Sequence, residues 1–259
     1  MQVDDVNLAF RQEGSSGPAI VLVHGLGGSR RSWDALVPLL AREARVLVPD
    51  LRGCGESSRG EAPYTLARAA DDILGLVRGL QWSPVVLVGH SLGGVIVQEI
   101  ITRNPAEVAA AVLVSTSSRL GEQATANWLR LADAVERKGL SDSPQAAARG
   151  YSARFVAEHP DVVAEHARRS AATDRRVYAE QARAASAYRY DEQLAAVRCP
   201  VLVLQGLDDR MTPPGGSVLL HRALPAGNRL EMIEGAGHNL PLEAPEAVAR
   251  LILDFVHGL

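Results

Sequence analysis

Cysteine is scarce in this chain: two residues in 259, Cys54 and Cys199. Two cannot build the disulfide framework of a small secreted scaffold. Their spacing is not C-x-x-C, which argues against thiol redox chemistry and against a cysteine-rich zinc site. No uninterrupted apolar run reaches the roughly 18 residues of a membrane-spanning helix, so no membrane partner is expected. The start, Met1-Gln2-Val3-Asp4-Asp5, lacks the basic and apolar regions of a secretory signal, and a cytoplasmic location is the expectation. Positive charge is not in excess either: 27 Lys+Arg stand against 30 Asp+Glu, a net charge of -3. Counterion release needs a basic face, so a nucleic-acid partner is not expected. A Walker A sequence, an H-E-x-x-H pair and a carboxylate-rich metal loop are all missing, so no metal and no organic cofactor are expected.

What is present is an ordinary globular composition, 47% hydrophobic and 22% charged. The length suits one large core with an insertion. Short runs rich in Val, Leu and Ile recur: Ala19–Val23, Arg45–Val48, Val85–Val88, Ala109–Val114, Val201–Leu204 and Leu230–Ile233. Such runs suit strands buried on both faces. Helical stripes lie between them. Leu66, Ala70, Ile73, Leu76, Val77 and Leu80 share one face of Thr65–Leu80, with Thr65 as its cap, and Val248, Leu251, Ile252 and Phe255 share one face of Ala244–His257. Alternation of this kind predicts an α/β fold, a mostly parallel sheet with helices on both faces. Val3–Gln12 reads as an antiparallel edge strand.

The alternation stops between residues 118 and 190. That segment is rich in Ala and Arg, has no strand-like run, and is punctuated by Gly139, Ser143-Pro144 and His159-Pro160. It reads as several short helices inserted into the core, which is then residues 1–117 and 191–259. The segment holds 12 Lys+Arg and 9 Asp+Glu, slightly basic where the rest is acidic; a solvated helical surface accounts for that.

The strongest chemical signal is Gly89-His90-Ser91-Leu92-Gly93-Gly94, between a buried run and the helical pattern Val95–Arg103. A serine on a sharp strand-to-helix turn has a strained backbone and an exposed hydroxyl, and the flanking glycines avoid collisions with neighbouring backbone. The hydroxyl needs a base, and the base needs a third group to orient it. Of seven histidines, His238 follows the last strand run, on a loop at the carboxyl edge where open α/β sheets keep their sites. His159, His166, His221 and His257 lie in helical surroundings and read as surface or packing residues. For the acid, Gly206-Leu207-Asp208-Asp209 follows the run Val201–Leu204. A loop lets only one of the two aspartates reach an imidazole nitrogen; we assign Asp209 and keep Asp208 in reserve as a loop brace.

These segments resemble the α/β-hydrolase superfamily along essentially the whole chain. The matching motifs are His24-Gly25, Asp50-Leu51-Arg52-Gly53-Cys54-Gly55-Glu56-Ser57, the Gly89–Gly94 elbow, the Gly206–Pro213 loop and Gly237-His238. The resemblance aligns the family's G-x-x-D acid with Asp209 and implies the triad Ser91, Asp209, His238 in the family's chain order. It implies an oxyanion hole from the backbone N–H groups of Leu26 and Leu92. It also makes residues 118–190 a cap domain, entering after the family's sixth strand. Asp50 and Arg52 are expected to brace the loop beside the site, and Cys54 to fill it. His24, Trp33, His90 and Trp128 are the candidate pocket residues, Trp128 having cap packing as its other role.

A dinucleotide site is a poor rival. Gly25-x-Gly27 has Arg30 at the third glycine position, and that reading leaves the serine turn and the late histidine idle. The expected activity is hydrolysis of a small carboxylic ester or lactone through an acyl-enzyme. The acid-loop and Gly-His segments look like those of small bacterial carboxylesterases and 3-oxoadipate enol-lactonases. Carbon–carbon bond hydrolysis is an alternative, weakened because those relatives usually carry Asn where this chain has His90. Cofactor-free lyase or dioxygenase chemistry is another, and a non-catalytic ligand receptor built on the same pocket is a third.

Overall fold

The computed structural model describes residues 1–61 and 63–259. Among them nine strands run in chain order: β1 (Gln2–Val3), β2 (Val6–Asn7), β3 (Phe10–Glu13), β4 (Ala19–Val23), β5 (Arg45–Pro49), β6 (Val85–His90), β7 (Val108–Val114), β8 (Val201–Gly206) and β9 (Arg229–Ile233). The last seven form one sheet in the order β3-β5-β4-β6-β7-β8-β9. Every pairing in it is parallel except β3 with β5.

The apolar runs become strands because both faces of the sheet are covered. Successive side chains point to opposite sides. Val21, Val23, Leu87, Leu113 and Val203 enter one core, with Ile73, Leu76 and Val77 of helix Leu66–Gly79 and Ile96 and Ile100 of helix Leu92–Ile101. Ile20, Leu22, Val88, Val112 and Leu204 enter the other, with Val37, Leu40 and the Val248, Ile252 and Phe255 stripe of helix Pro245–His257. Thr65 does cap its helix, accepting the Arg68 N–H at 3.1 Å.

Two expectations need correction. The N-terminal stretch is not one edge strand: β1 and β2 pair with each other in a separate two-stranded sheet, and only β3 joins the main sheet. The cause is local, since Asp4 turns the chain with φ +47°. The insertion therefore leaves β7 as the fifth strand of the main sheet; it is the sixth only in a scheme that counts a further N-terminal strand. In addition, β9 is an edge strand and only half-buried, and its run is interrupted by Glu231.

The segment 118–190 is helical, but its first helix, Glu122–Lys138, is long rather than short. Three further helices of six or more residues follow, Ala153–Glu158, Pro160–Ala171 and Arg175–Ala184. Its two ends meet. Arg119 and Arg189 form an isolated antiparallel bridge, and the Tyr190 N–H donates to the Ser118 carbonyl at 2.9 Å. Among the described residues no helix is long and apolar enough to cross a membrane.

Candidate active site

Ser91, Asp209 and His238 follow β6, β8 and β9, all at the carboxyl edge of the sheet. Strands β6 and β8 run past their apolar cores into His90 and Gly206, so the rigid ladder reaches the first residues of the site. Ser91 sits at φ +53°, ψ -116°, a left-handed conformation that costs an ordinary residue about 1–3 kcal/mol. Two features hold it there. Its N–H donates to the Val114 carbonyl at 2.9 Å, and helix Leu92–Ile101 starts at the next residue. The helix can pass so close only because Gly93 has no side chain: a Cβ there would lie 2.0 Å from the Val23 carbonyl oxygen. The same closeness brings the first glycine turn to the serine, where a Cβ on Gly25 would lie 3.2 Å from that of Ser91. Leu92 opens the helix, so its N–H has no acceptor within it.

His238 and Asp209 are joined. The His238 Nδ1–H donates to Asp209 Oδ2 at 2.9 Å, and both side chains are buried. Asp209 Oδ1 accepts the Met211 and Thr212 N–H groups, each at 2.8 Å. Burial would push this carboxyl up; the bond and charge of His238, the Thr212 N–H and the Gln205 amide outweigh it and hold the group below its usual range. The neighbouring Asp208 is exposed, and its own N–H donates to the Ala236 carbonyl, tying the acid loop to the histidine loop. The His238 ring lies against His90, the residue before the serine, with centroids 5.0 Å apart.

The other expected residues divide. His24 is fully buried and spent on structure: its Nδ1 bonds the Gly25 carbonyl at 2.8 Å, and its Nε2 accepts the Leu51 N–H at 3.0 Å. His90 Nε2 bonds the His238 carbonyl at 2.8 Å, and burial with the nearby His238 pushes its pKa down to about 3. As neutral braces, these two shape the site's floor rather than offering a polar face to a ligand. Trp33 does not line a pocket. It has no exposed surface, and it packs in the core beneath the sheet, edge-on to His90. Trp128 is half-buried and packs against the insertion's apolar cluster of Ala132, Val135, Tyr178, Ala179 and Ala182; Leu26 packs against the same cluster, so it meets the first glycine turn. Asp50 braces as expected, accepting the Arg30 and Glu56 N–H groups and the Arg30 side chain. Arg52 is buried against Asp72 at 2.6 Å. The Cys54 thiol is buried, pushed up to about 12, and receives the Gln181 amide at 3.2 Å.

Several contributors escape sequence reading. Gln205 is fully buried in β8 and donates to Asp209 Oδ2 at 3.1 Å. Its only signal is a polar residue at the end of an apolar run. Glu243 accepts the N–H groups of Gly237 and of Ser152, both at 2.9 Å, while Asn239 donates to the Gly150 carbonyl through its backbone and its amide. The residues on either side of His238 are thus stapled to the insertion. His166, read as a surface or packing residue, bonds the Tyr151 hydroxyl at 2.6 Å and lies near enough to feel the charge of His238. No local pattern in the sequence joins positions 90 residues apart. Among the described residues no group of three His, Cys, Asp or Glu is arranged to hold a metal ion.

The model of the alpha/beta hydrolase fold family matches residues 18–245, and the chain belongs to this family of hydrolases. An esterase from Thermogutta terrifontis is 30% identical with a TM-score of 0.90, over 98% of this chain and 94% of that one. The enol-lactonase from Burkholderia xenovorans is 27% identical with a TM-score of 0.92, over 98% of both chains. By sequence, 3-oxoadipate enol-lactonase 2 of Acinetobacter baylyi is 26% identical, over 95% of this chain and 92% of that protein.

Proposed function

We propose that this hydrolase cleaves a small carboxylic ester or lactone with Ser91 as nucleophile, His238 as general base and Asp209 as the orienting acid. The observation that carries the reading is the 2.9 Å bond from the His238 ring to a buried, ionised Asp209, beside a strained serine. That bond holds the proton on Nδ1 and leaves Nε2 with its lone pair. The base then takes the Ser91 proton as the hydroxyl attacks the carbonyl carbon. The N–H groups of Leu26 and Leu92 receive the oxyanion, each worth on the order of 3 kcal/mol at the transition state. Collapse expels the alcohol, which takes the proton from His238 and leaves an acyl-serine. Water, activated by the same imidazole, releases the acid.

Residues 118–190 serve as the cap in this reading. They contact the first glycine turn through Thr173 and Tyr178, the Gly53-Cys54 loop through Val177 and Gln181, and the histidine loop through Gly150 and Ser152. The esterase and enol-lactonase among the similar proteins support an ester or lactone as the substrate class. Two free cysteines suit a cytoplasmic enzyme.

Turnover of p-nitrophenyl acetate and butyrate tests the reading, with Ser91→Ala beside wild type. We expect a loss of at least about 10⁴-fold in kcat in the variant. A fluorophosphonate probe should add its mass to wild type and not to Ser91→Ala. Equal activity in the two proteins would remove serine from the mechanism.

A further inference from the structure

We propose that Gln205 is a positioning residue of the triad, acting through Asp209 to set the basicity and aim of His238. The proposal rests on the triad reading above. Gln205 has no exposed surface and sits at the end of an otherwise apolar strand, where a buried amide is costly unless every group is bonded. Its bonds are directed. The Nε2 group faces three acceptors: the Gly206 carbonyl at 3.0 Å, Asp209 Oδ2 at 3.1 Å and the Thr212 carbonyl at 3.2 Å. Its Oε1 accepts from the Ser217 hydroxyl at 2.5 Å. Ser217 lies fully buried on helix Pro214–Ala223, also within 3.0 Å of the Thr116 carbonyl. The three oxygen acceptors fix which end of the amide faces Asp209, because carbonyl and carboxylate oxygens cannot bond an amide oxygen; Ser217 on the helix after the acid loop anchors the other end.

The oxygen that matters is shared. Asp209 Oδ2 receives both the His238 ring N–H and the Gln205 amide, while Oδ1 is occupied by two backbone N–H groups. The amide has two consequences. It stops the carboxylate from turning about its last torsion, so Oδ2 stays on the imidazole. It also takes up part of the negative charge on Oδ2, which weakens the pull on the His238 proton. Removing the donor makes the carboxylate more basic and the imidazolium easier to form. The charged and titratable groups around His238 are Asp209 on the acid loop, His90 on β6, Glu243 on the Gly237 N–H beside it, and His166 from the insertion, which Arg169 adjoins. None of these is removed when Gln205 is changed.

Gln205→Met keeps the volume and deletes the amide; Ser217→Ala leaves the amide and deletes its anchor. Both are assayed with p-nitrophenyl butyrate, with active sites counted by fluorophosphonate labelling and kcat/KM followed from pH 5 to 9. For Gln205→Met we expect kcat per labelled site to fall about ten- to hundredfold, the rate equivalent of a hydrogen bond to a charged group. We expect KM to stay near wild type and the acidic limb of kcat/KM to move to higher pH. Ser217→Ala should shift both quantities in the same direction by less. A strut with no catalytic part would lower the labelled fraction and the melting temperature without moving kcat per site or the limb; that result overturns the proposal. If Gln205→Met does not fold, Ser217→Ala decides, and wild-type kcat and limb position in it are equally fatal. Ser91→Ala separates the two levels. Activity in it defeats the triad reading itself, whereas an inactive Ser91→Ala beside an unaltered Gln205→Met defeats only this inference.

Discussion

The two halves of the site are held by different physics. The serine half is fixed by backbone packing: Gly93 against the Val23 carbonyl, Gly25 against Ser91, and a ladder bond from Ser91 to β7. The Asp209–His238 half hangs on side-chain hydrogen bonds: Asp209 on two N–H groups and Gln205, and the histidine loop on Glu243, Asn239 and the insertion. Close packing is all or none, because interiors deform little. Hydrogen bonds to loops fail one at a time. Damage to the first half should therefore read out as lost fold, and damage to the second as lost rate.

The largest effect should come from Gly93→Ala. A methyl group 2.0 Å from a strand carbonyl forces β4 and helix Leu92–Ile101 apart. We expect at least about 4 kcal/mol of destabilisation, seen as loss of soluble protein or of a cooperative thermal transition. A folded Gly93→Ala with wild-type melting would break the contrast. Asp209→Asn should do the opposite. The amide oxygen can still accept the Met211 and Thr212 N–H groups, but its NH₂ then faces two donors, His238 Nδ1 and Gln205 Nε2. The fold should survive, and the imidazole should turn to the wrong tautomer, lowering kcat by roughly 10⁴-fold. Asp208→Asn, on an exposed side chain, should leave kcat near wild type. Steady-state kinetics on the pair, beside their melting curves, checks both statements. A larger loss in Asp208→Asn would reverse the assignment.

The same division explains what could be read from the chain in advance. The elbow is legible because its constraint is written locally: glycines at fixed offsets from one serine, after a run of Val and Leu. Six of the seven main-sheet strands are legible for a similar reason: the runs of β4 to β8 mark burial on two faces, and that of the edge strand β9 is a weaker version of the same signal. Gln205, Glu243 and the Gly150–Ser152 staple are not legible. Their partners lie far away in sequence, and a lone Gln or Glu has many ordinary roles. Trp33 misleads for the complementary reason. Its place just after the first glycine turn suggests a pocket wall, but the chain turns down there and buries the indole on the far side of the sheet. The split of the N-terminal stretch also escapes, since the turn at Asp4 needs a backbone conformation that no glycine announces.

The smallest effect we expect concerns pH, and it separates the insertion from the elbow. His166 on the insertion is depressed to about 4, by burial first and then by the charges of Arg169 and His238. His90 at the elbow is depressed further, to about 3, by burial and by His238. An unfolded histidine binds its proton near pH 6.5, so between 6.5 and these folded values the unfolded chain holds more protons. Stability is then fully present above about pH 6.5 and declines as pH falls, with the His166 share lost down to about 4 and the His90 share down to about 3. Asp209, also depressed, contributes on the same side but only below the ordinary aspartate range. His166→Asn removes one of these titrations and leaves the other two. Its melting temperature should start below wild type at pH 7.5, because the contact with Tyr151 is weakened, and then fall less steeply between pH 6.5 and 4.5. Parallel curves for the two proteins over that interval would mean that His166 is as free to take a proton in the folded chain as in the unfolded one. The insertion would then sit more loosely over the histidine loop than the Glu243 and Asn239 bonds imply.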